Sequence, residues 1–174
     1  MNHDSYSDDY IRGIFHANRS FAIVGASANT VRPSYFVVKY LLEKEFEVIP
    51  VNPGLEGQEL LGQKVYRDLS DIPGSVDVVD IFRNAEAAME ITKEAIMIGA
   101  KVVWMQLGVR NDEAAALAED SGLKVVMNRC PKIEYARLSG EIGWAGVNSR
   151  AISSVRPKLG PRGFQHRVLR ENGK

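Results

Sequence analysis

A single cysteine, Cys130, stands among 174 residues. No internal disulfide can form, which fits a reducing cytosol. No run reaches the roughly 20 apolar residues that a membrane-spanning helix needs. The opening segment, 1–10, is polar and acidic with no hydrophobic stretch, so no secretory signal is expected. Neither sign of charge is in excess: 22 basic and 22 acidic residues balance to a formal zero. That balance leaves no electrostatic footprint for nucleic acid or for a membrane surface. Histidine is also sparse. His3, His16 and His166 all lie in the terminal segments. The middle of the chain therefore offers no histidine base, no legible Ser-His or Cys-His pair and no metal-ligand cluster. Internal repeats and low-complexity tracts are missing too. The expectation is a soluble, cytoplasmic, globular protein whose length suits one well-buried domain.

What is present alternates. Asp8 to Asn18 reads as a short helix with Ile11, Ile14 and Phe15 on one face. Ser20-Phe-Ala-Ile-Val-Gly25 is a β-like apolar run closed by glycine. A helix is expected from Pro33, a suitable first helical position, to about Glu45, with Phe36, Val37, Tyr40 and Leu41 at helical spacing. Phe46 to Val51 reads as a strand, although Pro50 argues for an edge or a strand end. A short strand is expected near Lys64 to Tyr66, and clear ones at Val76–Phe82, Lys101–Gln106 and Leu123–Met127. Asn84 can cap a helix that stops at Gly99. Asn111 or Asp112 can cap an alanine-rich helix ending near Gly122, and a last helix starts near Pro131. Strands that are nearly continuous apolar runs, alternating with helices, imply a parallel sheet buried on both faces. The fold class is therefore α/β: a single Rossmann-like, doubly wound parallel sheet with helices on both faces, in the order 3-2-1-4-5-6. The divisions expected are a helical segment at 1–19, the α/β domain at 20–138 and a Gly-, Ser-, Pro- and Arg-rich tail at 139–174.

Open α/β sheets bind ligands outside the carboxyl ends of their strands, at the switch point of the strand order. That rule selects the loops after Val24, Val51, Ile81 and Met105, with a fifth at Asn128-Arg-Cys130. In the first, Gly25 lets the backbone turn and approach a ligand closely, and Ala26 and Ser27 keep the approach uncrowded. Arg32 and Ser34 fall where the helix begins, and a helix N-terminus attracts phosphate. The same residues also suit a tight β-to-α turn with a capping serine. The three-glycine dinucleotide fingerprint is missing, as is the acidic residue some 20 positions on. The second strand ends instead in neutral Val51-Asn52. A carboxylate there would repel a ribose phosphate and a neutral turn does not, so NADP and coenzyme A suit the site better than NAD. Arg83 could meet phosphate or form a salt bridge to Glu86. Gln106 and Asn128 can bond a ligand or neighbouring loops. Trp104 and Met105 read as core, and Asp80 as a buried loop anchor. Cys130 is either a contact for a thiol-bearing ligand or a buried, inert residue. Glu134 lies near it, but one acid beside one thiol defines no mechanism.

Val24-Gly-Ala-Ser27 with Arg32-Pro-Ser34, then Val48-Ile-Pro-Val-Asn-Pro-Gly54, Val78-Val-Asp-Ile-Phe-Arg83, Trp104-Met-Gln-Leu-Gly108 and Asn128-Arg-Cys130, is similar to the small bacterial CoA-binding proteins. Their fold resembles the N-terminal CoA-binding domain of the succinyl-CoA synthetase alpha subunit. The resemblance spans about Ser20 to Leu138. It implies that coenzyme A lies across the switch point. The Val24, Gly25, Ala26 and Ser27 turn would hold the diphosphate, and Asn52 and Pro53 would flank the adenosine. Ile81, Phe82 and Arg83, and the loop carrying Gln106 and Gly108, would line the rest. Leu55 stands where the synthetase has a lysine, and the synthetase domain bearing the phosphorylated histidine has no counterpart here. Ligase activity is therefore not expected.

The function expected is binding of coenzyme A or an acyl-CoA without catalysis. The alternative is an NADP-dependent oxidoreductase or redox sensor, and a third reading is thioester or disulfide chemistry at Cys130. Partner expectations are the small molecule, a homodimer and a separate enzyme, with no nucleic acid and no membrane.

Overall fold

The computed structural model describes residues 1–141, so the expected tail falls outside them apart from its first residues. The chain order is α1 (Asp8–Ala17), β1 (Ser20–Val24), α2 (Pro33–Glu43), β2 (Glu47–Val51), β3 (Glu59–Leu60), β4 (Gln63–Lys64), β5 (Val78–Ile81), α3 (Ala85–Met97), β6 (Val102–Met105), α4 (Asp112–Asp120), β7 (Lys124–Val126) and α5 (Pro131–Ser139). Local chemistry sets the boundaries. Asn84 and Asn111 accept hydrogen bonds from the amides of Ala87 (3.1 Å) and Ala114 (2.9 Å), capping α3 and α4. Gly99 and Gly122, just past the ends of those helices, take the left-handed conformation (φ +73° and +85°).

Five strands form one parallel sheet in the order β2-β1-β5-β6-β7. The chain leaves β1 toward β2 and returns to the other side of β1 at β5, so the switch point lies between β1 and β5. The expected third strand is reduced. Gln63–Lys64 turns back antiparallel on Glu59–Leu60, and Tyr66 alone bridges Val51 in parallel. Pro50 supplies the reason. Its carbonyl accepts from the Tyr66 amide (3.0 Å), but it has no N–H to give on that same outer side, so a ladder cannot propagate.

Period-two alternation sends the strand side chains to two cores. Phe21, Ile23, Val78, Val102, Trp104 and Val126 pack with Ile11, Ile14 and Phe15 of α1, Val37, Val38 and Leu41 of α2 and Tyr135 of α5. Ala22, Val79, Ile81, Val103, Met105 and Val125 pack with Ala88, Ile91 and Ala95 of α3 and Ala114, Ala115 and Ala118 of α4. Helices therefore cover both faces. On the first face Phe15 meets Trp104 and Tyr135 at ring-centroid distances of 5.5 and 5.3 Å, which seats α1 in the main core. The N-terminal segment also shields the free edge of β7. The Tyr10 hydroxyl donates to the Val125 carbonyl and accepts from its amide, both at 3.1 Å, and the Tyr6 hydroxyl accepts from the Met127 amide at 2.7 Å. At the amino edge, the Asp77 carboxylate accepts from the Arg19 and Ser20 amides and pairs with Lys101. Among the described residues no helix is long and apolar enough to cross a membrane.

Candidate functional site

Gly25 follows β1 with φ +91°, a conformation that costs any side chain. A Cβ there would stand 3.0 Å from the Phe82 carbonyl oxygen and 3.0 Å from Arg83 Cδ. The close approach that this glycine permits is that of the loop after β5, directly across the switch point. The Gly25 and Ala26 amides both point at the Val51 carbonyl, at 2.9 and 3.3 Å. Neither is left for a phosphate, so any anion contact from this turn falls to Ser27 and the residues beyond it. Ser27 Oγ accepts from the Asn29 amide (3.2 Å), and Asn29 Oδ1 accepts from the Val31 amide (3.1 Å). Asn29 thus shapes the loop, a role that sequence reasoning missed although an Asn in a Gly/Ser-rich turn is its usual signal. Arg32 is the N-cap residue of α2, with no side-chain cap bond, and Pro33 opens the helix. Ser34 is buried in its first turn.

Two expected ligand contacts are committed to holding loops together. Asn52 Nδ2 donates to the Ala26 carbonyl (2.6 Å), and its Oδ1 accepts from the Gly54 amide (2.8 Å). Pro53 next to it is exposed. Asn128, at φ +53°, accepts from the Gly108 amide at 2.9 Å. These asparagines act as braces between neighbouring carboxyl-edge loops. Arg83 shows the opposite behaviour. It is exposed and has no ion-pair partner among the described residues. Glu86, its expected partner, accepts instead from Asn84 Nδ2 (2.6 Å). A guanidinium with no acid to hold it is available to an anionic ligand.

A cleft of about 470 Å³ opens at this edge, between the N-termini of α2 and α5, within the size range of small-molecule sites. Its wall includes Phe82, Arg83, Gln106 and Cys130 from the expected set. Gly25, Ala26, Ser27, Asn52, Pro53, Gly108 and Asn128 do not line it, nor do Val24, Ile81, Arg32 and Ser34. Val31, Phe36, Leu107, Lys132 and Ile133 do line it and were not foreseen as site residues. Phe36 had read as part of the α2 core stripe. It is 47% exposed and faces this cleft, because the buried face of α2 is made by Ser34, Val37, Val38 and Leu41. The Lys132 ammonium lies 5.7 Å from the Phe36 ring centroid, a cation–π distance.

Three polar groups meet beneath the cleft. Asp80, from β5, has no solvent exposure, and both its carboxyl oxygens accept from Gln106 Nε2, at 3.2 and 3.1 Å. Burial pushes its carboxyl well above the ordinary range, and the Gln106 bond opposes this only weakly. The uncharged acid is favoured. Burial also raises the Cys130 thiol, with Asp80 adding to the rise, while the Ile133 and Lys132 amides pull the other way without prevailing. Little thiolate forms near neutrality, so Cys130 is a poor nucleophile. Glu134 pairs with Arg137 at 2.8 Å. His3 is buried against Tyr6, 3.5 Å from Glu119 on α4. Among the described residues no group of three or more His, Cys, Asp or Glu is placed to hold a metal.

Sheet order, switch point and carboxyl-edge cleft define the class, a Rossmann-like α/β domain. The chain belongs to the CoA binding domain family, whose model matches residues 19–136. It is 34% identical over 126 residues to the uncharacterized protein YneT of Bacillus subtilis, covering 72% of this chain and 92% of that one. A solved hypothetical protein from Pyrococcus horikoshii superposes with a TM-score of 0.74 at 44% identity, covering 78% of this chain and 94% of the other. The alpha subunit of an ADP-forming acetate–CoA ligase I from Pyrococcus furiosus is 34% identical over 89 residues. That match spans 49% of this chain but only 19% of the ligase subunit.

Proposed function

We propose that this protein binds coenzyme A, free or acylated, across the switch point and does no chemistry on it. The observation that carries the reading is the apolar cleft at the carboxyl edge with the Arg83 guanidinium, without an ion-pair partner among the described residues, on its wall. In this reading the pantetheine arm enters the cleft past Phe82 toward Gln106 and Cys130. Arg83, Arg32 and the Ser27, Ala28 and Thr30 amides at the entrance to α2 meet the phosphates. The Asn52-Pro53 turn flanks the adenosine, and its neutrality admits a phosphorylated ribose. Gly108 and Asn128 act indirectly, by fixing the loops on which Gln106 and Cys130 stand. The absence of catalysis is supported by the suppressed thiol of Cys130. A cytoplasmic protein of this kind would hand the cofactor to, or report its level to, a separate enzyme.

Isothermal titration with CoA tests the proposal. A saturable one-site isotherm is expected, with a thermal shift in parallel. No heat and no shift at millimolar CoA would overturn it. NADPH binding tighter than CoA would instead favour the oxidoreductase or redox-sensor reading.

A further inference from the structure

Four large apolar side chains stand exposed around one opening. Val31 is 75%, Leu107 56%, Phe36 47% and Ile133 43% exposed, and all four line the cleft above Cys130. They come from three different parts of the chain: the loop before α2 together with α2, the loop after β6, and α5. Only seven large apolar residues are exposed among those described, so four at one mouth is a concentration rather than scatter. Inside, Val37 and Val109 continue the apolar wall.

Among the described residues, Arg83 and Lys132 are the cations on the wall. Lys132 is held over the Phe36 and Tyr40 rings, and Arg83 borders the switch point beside Gly25. Beneath the inner wall lies the buried carboxyl of Asp80, bonded to Gln106. An uncharged hydrocarbon would lose nothing and would cover the exposed rim.

We infer that the cleft selects CoA thioesters of apolar acyl groups over free CoA, with the acyl chain lying against Val31, Phe36, Leu107 and Ile133. This rests on the CoA reading above and narrows it. Gln106 and Cys130, at the inner wall, then adjoin the thioester.

Titration calorimetry with CoA and its acetyl, butanoyl and hexanoyl thioesters tests the inference. Each methylene buried should tighten binding by up to about fourfold, so hexanoyl-CoA should exceed acetyl-CoA by up to roughly 200-fold. I133S and F36S, at exposed positions, should each flatten the hexanoyl-to-acetyl ratio; unchanged melting curves confirm folding. CoA binding with a flat acyl series overturns this inference and leaves the CoA reading standing. No binding of any of the four overturns the reading beneath it.

Discussion

Replacing Gly25 by alanine probes the contact on which the site is built. Two costs add. The backbone at φ +91° penalises an L side chain by about 1–2 kcal/mol. The new methyl group also meets the Phe82 carbonyl oxygen and Arg83 Cδ, each at 3.0 Å. The arginine methylene can move aside, but the carbonyl belongs to the end of a buried strand and cannot move without disturbing the β1–β5 register. The sum should be about 2–4 kcal/mol, or a fall in Tm of roughly 5–15 °C for a chain of this size. Gly122→Ala is the internal control. Its φ is +85°, and nothing lies within 4 Å of its added Cβ, so it carries the backbone cost alone. Urea denaturation of both variants, read by circular dichroism, measures the difference. G25A should be the less stable by at least about 1 kcal/mol and should also weaken CoA binding, because the two loops flanking the switch point must part. If G25A costs no more than G122A, the close packing of these loops is not what requires glycine, and the account of the switch point fails.

Other predictions concern charge. Arg83→Gln removes a guanidinium with no ion-pair partner among the described residues, so stability should hold within about 0.5 kcal/mol. CoA affinity should fall about 10- to 150-fold through the lost charge-assisted bond, with a shallower salt dependence; unchanged affinity in calorimetry at two ionic strengths would place the phosphates elsewhere. Asp80 has a raised carboxyl in the native state, so the native state holds the proton more tightly than the unfolded chain. Its contribution is complete below the unfolded value of about 3.9 and is lost as pH rises toward the native value. Asp80→Asn keeps shape and neutrality, so its stability relative to wild type should improve between pH 4.5 and 7.5 in urea titrations. A relative loss over that range would mean that Asp80 is ionised and paired. Cys130, with its raised thiol, should react slowly with iodoacetamide at pH 7, far below the rate of free cysteine, and CoA should slow it further. Rapid labelling at neutral pH would revive the thiol-chemistry reading.

Much of the fold is legible in local patterns. Ser20–Val24, Val78–Ile81 and Val102–Met105 are short, largely apolar runs between turn signals, the pattern of buried parallel strands. Asn84, Asn111, Pro33 and Pro131 mark helix starts by chemistry that acts within a turn. The carboxyl-edge loops follow from those elements, and with them came Phe82, Arg83, Gln106 and Cys130. Segment 64–66 contributes only the Tyr66 bridge in place of a third strand, because the missing N–H of Pro50 lies across the sheet edge, beyond the reach of any local pattern.

The sequence by itself determined the alternation of elements, because periodicity, caps and glycine conformations are decided by residues a few positions apart. Tertiary structure alone decided what each loop residue does. Asn52 and Asn128 became braces, and the Gly25 and Ala26 amides went to Val51. Asp80 became a fully buried acid. Phe36 and Ile133 came together at one cleft. Each of these outcomes depends on strand order and register, which bring together groups too far apart in the chain for any local pattern to couple.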